Sequence, residues 1–154
     1  MALERERRFL IKDLIAMFLQ VEEKEEIVQW YLSTKPSIRV RWLPGEDRYI
    51  LTSKRRVSKD SSNEVEIDLP SDDAAELITN ALGKVSKVRL TLPQGWVVDV
   101  FTGDNTGLII AEIELDEDED PILPDWVGRE ITGVRKYANS QLAIKPFTKW
   151  KGKK

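Results

Sequence analysis

Glu4, Glu6 and Arg8 stand two residues apart near the start of the chain, within Leu3-Glu4-Arg5-Glu6-Arg7-Arg8-Phe9-Leu10-Ile11. In an extended strand side chains alternate between faces. These three therefore share one face, while Leu3, Phe9 and Ile11, with Arg5 and Arg7, take the other. Two carboxylates and a guanidinium in one row can hold a hard cation and an anion side by side. Taken alone, such a row is also what a solvated strand face at the edge of an antiparallel sheet looks like.

The pattern recurs down the chain. Arg39 and Arg41, Thr52 and Lys54, Glu64 and Glu66, Lys87 and Arg89, and Glu112 and Glu114 are each spaced i, i+2, and Asp99 adds a further acid. The alternate positions of these segments are largely apolar. Like charges at that spacing repel, and they cost stability unless opposite charge lies between them. A closed barrel with the charged faces inward sets acids against bases across a polar lumen. Helices and a partner subunit would then cover the apolar outside. The acids would hold one or two divalent cations, and the Arg and Lys side chains would grip phosphate oxygens. A triphosphate is such a ligand; a bulky polymer does not fit inside a barrel of eight strands.

Composition narrows the chemistry. The chain has 154 residues, 41% hydrophobic and 33% charged, which suits one globular domain over residues 1–150 with a frayed basic tail at 151–154. There is no Cys, which excludes disulfides and thiol chemistry, and no His, which removes the commonest general base and zinc ligand. Any metal must be held by oxygen, so Mg, Mn or Ca is favoured. A net charge of −3 argues against a general nucleic-acid binder. No apolar stretch is long enough to span a membrane and no secretory signal is evident, so a cytoplasmic protein without membrane contact is expected.

The elements that must position these residues follow from periodicity. A short helix is expected over Lys12 to Phe18 and a solvated charge run over Glu22 to Glu26, then a strand over Ile27 to Ser33. Ile38 to Trp42 and Arg48 to Lys54 form a hairpin about Pro44-Gly45-Glu46-Asp47. Arg55 to Asn63 reads as a mobile loop, and Glu64 to Leu69 as a strand ended by Pro70. Ser71 is the expected N-cap of a helix over Asp72 to Leu82, with Gly83 its C-cap. Val85 to Leu92, Trp96 to Phe101 and Leu108 to Leu115 read as strands. Asp116 to Asp120 is an acidic loop, Pro121 to Gly128 is irregular, and Val134 to Ile144 is a last helix. The five Trp are assigned to packing. The expected class is α+β, mainly β: an eight-stranded antiparallel β-barrel with a charged lumen and a few flanking helices.

The ordered set of motifs resembles the CYTH family, also called triphosphate tunnel metalloenzymes. Glu4-Arg5-Glu6-Arg7-Arg8 resembles its Glu-x-Glu-x-Lys signature. Arg39-Val40-Arg41, Thr52-Ser53-Lys54, Glu64-Val65-Glu66 and Lys87-Val88-Arg89 resemble its inner strands, and Asp99-Val100-Phe101 and Glu112-Ile113-Glu114 its later acidic strands. Trp126-Val127-Gly128-Arg129-Glu130-Ile131-Thr132 and Tyr137-Ala138-Asn139 resemble its C-terminal elements. This chain departs from the pattern in three places. Arg8 stands where the motif has Lys, Val134 where an Asp is usual, and Lys136 where an Arg is usual. Arg8 can clamp phosphate but, permanently protonated, cannot shuttle a proton.

The resemblance implies a tunnel that binds triphosphates with Mg or Mn, most often hydrolyses inorganic triphosphate to pyrophosphate and phosphate, and is often homodimeric. It implies Glu4, Glu6, Glu64, Glu66, Glu112 and Glu114 as metal ligands. Arg8, Arg39, Arg41, Lys54, Lys87, Arg89 and Lys136 would bind the triphosphate. One ion would be held chiefly by Glu4, Glu6 and Glu114. A second, near Glu64, Glu66 and Glu112, would lower the pKa of an attacking water, so Glu64, Glu66 and Arg8 are the expected catalytic residues. Adenylyl cyclase, thiamine or nucleoside triphosphatase, and non-catalytic triphosphate binding remain as alternatives.

Overall fold

The computed structural model describes residues 2–152; Met1, and Lys153 and Lys154 of the expected tail, lie outside them. Strand β1 (Ala2–Ile11) is followed by helix α1 (Leu14–Phe18) and by β2 (Glu23–Thr34), β3 (Ser37–Leu43), β4 (Arg48–Arg56) and β5 (Ser61–Leu69). Helix α2 (Ser71–Ile78) leads to β6 (Gly83–Thr91), β7 (Trp96–Thr102) and β8 (Ile109–Glu114). A short β9 (Val127–Glu130) precedes helix α3 (Asn139–Leu142). The antiparallel sheet runs β5–β4–β3–β2–β6–β7–β8–β1, and β1 pairs back onto β5, so eight strands close into the expected barrel. One edge of β1 pairs with β8 over Glu6 to Leu10. The other pairs first with β5 and then, from Phe9 onward, with the added strand β9.

Closure assigns the faces. The alternation in β1 sends Phe9 outward, where it meets Trp96 at 5.6 Å between ring centroids, and Trp96 meets Trp126 at 5.5 Å. Met17 of α1, Leu90, Leu92, Val98, Ala111 and Ile113 complete this outer core. A second apolar cluster joins Tyr31, Val85, Phe101 and Ile110 to Ile131, Tyr137 and Leu142, where the C-terminal segment folds onto the barrel. Burying each of these large side chains contributes about 1.5–3 kcal/mol.

Several elements differ from the expectation, each for a tertiary reason. The charge run before Ile27 is strand, because β2 pairs with β6 from Glu23 onward and places Glu25 opposite Arg89. The expected loop over Arg55 to Asn63 shrinks to a hairpin turn: Arg55 pairs with Asn63 and Arg56 with Ser62, and the Val57 and Ser58 N–H groups donate to the Ser61 carbonyl. Ser71 is not a cap but the first residue of α2. That helix stops at Ile78, well short of Leu82, whose N–H donates to the Tyr31 carbonyl. Gly83 opens β6 instead of capping the helix, and a Cβ there would collide with the Ala143 carbonyl. The stretch before Gly128 is ordered at its end by β9 pairing with β1. The expected last helix breaks into a 3₁₀ turn over Arg135–Tyr137 and the single turn of α3, because Ala138 between them is extended. Among the described residues no helix is long and apolar enough to cross a membrane.

Candidate active site in the barrel lumen

A cavity of about 940 Å³ is lined by Glu4, Glu6, Arg8, Arg39, Arg41, Lys54, Glu64, Glu66, Lys87, Arg89, Glu112 and Glu114. All but one of the site residues expected from the sequence thus face a single space. The exception is Lys136. Its ammonium lies over the rings of Tyr137, at 5.3 Å, and Trp150, at 4.8 Å, and it is absent from the cavity lining. Its neighbour Arg135 lines the cavity instead.

Carboxylates gather where β1, β5 and β8 meet. Cross-strand pairing sets Glu6 beside Glu114 and Lys54 beside Glu64. The Lys54 ammonium stands 3.6 Å from Glu4, 3.7 Å from Glu6 and 3.9 Å from Glu64. The Glu4 carboxyl lies close to those of Glu64 and Glu114. Burial, reinforced by Glu4, pushes Glu64 up to about 7. Glu112 and burial together raise Glu6, and burial with Glu4 raises Glu114. Burial opposes the charge on Glu4 too, but Glu64 and Lys54 outweigh it and hold that carboxyl below its ordinary value. One ammonium among this many carboxylates leaves excess negative charge in an all-oxygen donor set. That set fits a hard divalent cation in kind. Among the described residues no three acids are drawn in to coordination distance. Glu112 faces Arg8 at 3.2 Å and Arg89 at 3.5 Å, which separates it from the expected set with Glu64 and Glu66. Glu66 accepts the Thr52 hydroxyl.

The cations are posed by other buried groups. Asp99, 1% exposed, accepts from Lys87 at 2.8 Å and from both Nε and Nη2 of Arg89, at 2.8 and 2.9 Å. Burial alone would raise Asp99, but those two cations hold it far below the carboxylate range. Burial, with Arg89 and Arg41 nearby, brings Lys87 down to about 7. Arg41 is brought down to about 10 by burial and by Arg39 and Arg89, and its Nε donates to Gln29. Gln29 donates in turn to the Tyr31 hydroxyl and to Asn139, which also accepts from Lys87. The extended Ala138 turns Asn139 into this network. Arg8 donates to the Tyr137 carbonyl at 2.9 Å. Two guanidinium nitrogens, Arg8 Nη2 and Arg39 Nε, are buried with no partner. A buried unpaired donor costs about 1–3 kcal/mol.

The supporting groups Gln29, Tyr31, Asn139 and Thr132, whose hydroxyl accepts from the Arg8 N–H, were given no role in the site from the sequence. Gln29 and Tyr31 do share the inward face of β2, so the i, i+2 rule that found the charges could have found them. Thr132 and Asn139 entered only as the last residues of the two C-terminal elements that resemble the family.

No protein-family model matches the chain. Two curated relatives do. An inorganic triphosphatase of Acetivibrio thermocellus is 39% identical over 122 residues, covering 75% of this chain and 76% of the relative. An inorganic triphosphatase of Nitrosomonas europaea is 32% identical over 151 residues, covering 92% and 97%. Among solved structures, a crystal structure of an inorganic triphosphatase superposes with a TM-score of 0.61 at 29% identity, covering 94% of this chain and 96% of that one.

Proposed function

The chain belongs to the CYTH, or triphosphate tunnel metalloenzyme, family together with the inorganic triphosphatases it matches, and from that premise we propose that it hydrolyses inorganic triphosphate to pyrophosphate and phosphate. The observation that carries this reading is the convergence on one cavity of six cationic side chains, Arg8, Arg39, Arg41, Lys54, Lys87 and Arg89, and six glutamates, Glu4, Glu6, Glu64, Glu66, Glu112 and Glu114. A site built for a neutral ligand would leave those cations without an anion to meet.

In this reading Arg8, Arg39, Arg41, Lys54, Lys87 and Arg89 bind the phosphate oxygens and orient the chain. Asp99 and Asn139 fix the ammonium of Lys87, and Asp99 the fork of Arg89. Glu4, Glu6 and Glu114, with Glu64 beside them, would hold Mg²⁺ or Mn²⁺, which supplies charge neutralisation and a more acidic water. Glu64 and Glu66 are the carboxylates on β5 available to take the proton of the attacking water. Arg8, tied to Glu112 and the Tyr137 carbonyl, acts as a clamp and not as a proton carrier. A cytoplasmic homodimer belongs to the same reading; the exposed Ile15 of α1 and Leu19 just after it suit burial against a second copy.

Phosphate release from inorganic triphosphate, ATP and thiamine triphosphate, each with Mg²⁺ or Mn²⁺, tests the reading. Release should be fastest from inorganic triphosphate and should stop in excess EDTA. No product from any of the three, or turnover indifferent to EDTA, would sink it.

A further inference from the structure

The two ends of the lumen carry opposite charge. Successive hairpins lie at alternate ends of the barrel, and the ends of β5 and β8 lie beside the start of β1. There the exposed Glu66 and Glu114 border the cavity, with Glu4 and Glu64 just inside. Beyond them the same end carries Asp68 and Glu46, with Arg48 between them at 2.8 and 3.9 Å, and Glu46 also lies against Glu25.

The opposite end is basic. Lys35 on the β2–β3 turn, Arg55, Arg56 and Lys59 at the β4–β5 hairpin, and Arg135 after β9 border the cavity, and all five are exposed. Among the described residues none of the five forms an ion pair. The acid at this rim, Asp60, is taken up by Arg5 at 2.9 Å. The hairpin is also fixed in place. The Asp60 carbonyl accepts from the Glu6 N–H at 2.8 Å, and the stem of Lys59 lies so close to Gly133 that a Cβ there would sit 2.7 Å from Lys59 Cγ.

We propose that the basic rim is the way in for the anionic substrate, and that Arg56, Lys59 and Arg135, with Lys35 and Arg55, are steering residues that act on encounter and not on turnover. The inference rests on the triphosphate reading. A narrow opening in low-dielectric walls focuses the field of its charges. A polyanion is drawn to the basic rim and repelled at the acidic one, which in turn attracts divalent cations. The two ligands would then approach the centre from opposite ends without displacing one another.

The test compares the intact protein with a rim variant, Arg56→Gln/Lys59→Gln/Arg135→Gln, and with an acidic-end variant, Glu46→Gln/Asp68→Asn, after circular dichroism has shown both folded. Stopped-flow tryptophan fluorescence gives the association rate of inorganic triphosphate, and steady-state kinetics give kcat and kcat/KM. For the rim variant at low salt, association and kcat/KM should fall about tenfold, with kcat held within about twofold. The deficit should close near 1 M salt, where the screening length shrinks to about 3 Å. The acidic-end variant should associate like the parent. A rim variant that associates at the parent rate in low salt overturns the proposal, as does an acidic-end variant that associates about tenfold faster. Binding is read without turnover, so the two readings fail separately. Steered binding with no phosphate released refutes hydrolysis alone, and hydrolysis with rim-independent association refutes steering alone.

Discussion

Asp99 does not line the cavity, yet it decides how two residues that do are posed. Its carboxylate receives three charge-assisted hydrogen bonds from Lys87 and Arg89 in a fully buried setting. Removing the charge from one partner of such a set leaves the others buried and uncompensated, which costs about 3–5 kcal/mol. Asp99→Asn should therefore lower the melting temperature by roughly 6–20 °C for a chain of this size. It should also reduce turnover, because Lys87 would give up its proton and Arg89 would lose its bidentate anchor. Urea unfolding and phosphate release measure the two effects, and a variant with parental stability would show that the set is already relaxed by water. The charges themselves were readable in the sequence because a lumen imposes a period of two on polar side chains, and Glu4, Glu6 and Arg8 state that period plainly. The position of Lys136 was not readable. Lys136 is adjacent to Arg135, and only the 3₁₀ turn decides which of the two borders the cavity while the other lies on Tyr137 and Trp150.

β9 shows how much of an element depends on distant partners. Its sequence carries no alternation, and it becomes a strand because the edge of β1 is vacated past the β5 contact. Arg7 clips it there with two bonds of 2.8 Å to Glu130. The Arg7 hydrogen bonds, aided by Thr132, hold the Glu130 carboxyl down at about 2. The folded value lies below the ordinary one of about 4.3, so the clip stabilises fully above that pH and its contribution is lost as pH falls toward 2. The side chains are 24% and 35% exposed, which limits the effect to about 1 kcal/mol or less. Comparing Glu130→Gln with the parent by denaturant unfolding, the stability difference should be flat above about pH 5 and vanish near pH 2. A difference that persists at pH 2 would assign the effect to packing. The Arg55–Asn63 hairpin and the broken C-terminal helix were hidden for the same kind of reason. Ser61 to Asn63 have weak intrinsic strand preference and are held by pairing with β1 and β4, and Ala138 is extended so that Asn139 can reach Lys87.

The closed barrel places an acidic wall and a basic wall around one solvent-reaching space, so its own stability must depend on what that space holds. Without ligand, Arg39, Arg41 and Arg89 repel one another, as do Glu6 and Glu112, and the orphaned donors of Arg8 and Arg39 stay unsatisfied. A triphosphate relieves the first repulsion and a divalent cation the second. Each also supplies the counter-charge that the other wall lacks across the lumen, so their binding should be coupled and the coupling reciprocal. At one hundred times its dissociation constant a ligand adds about 2.7 kcal/mol, which for a chain of this size raises the melting temperature by about 5–11 °C. Differential scanning fluorimetry with Mg²⁺ alone, pyrophosphate alone and both together reads this without turnover. The joint shift should exceed the sum of the separate ones, and it should shrink at high salt for the exposed share of the charges. Strictly additive shifts would mean that the two walls act independently and that the enclosure contributes nothing beyond holding them.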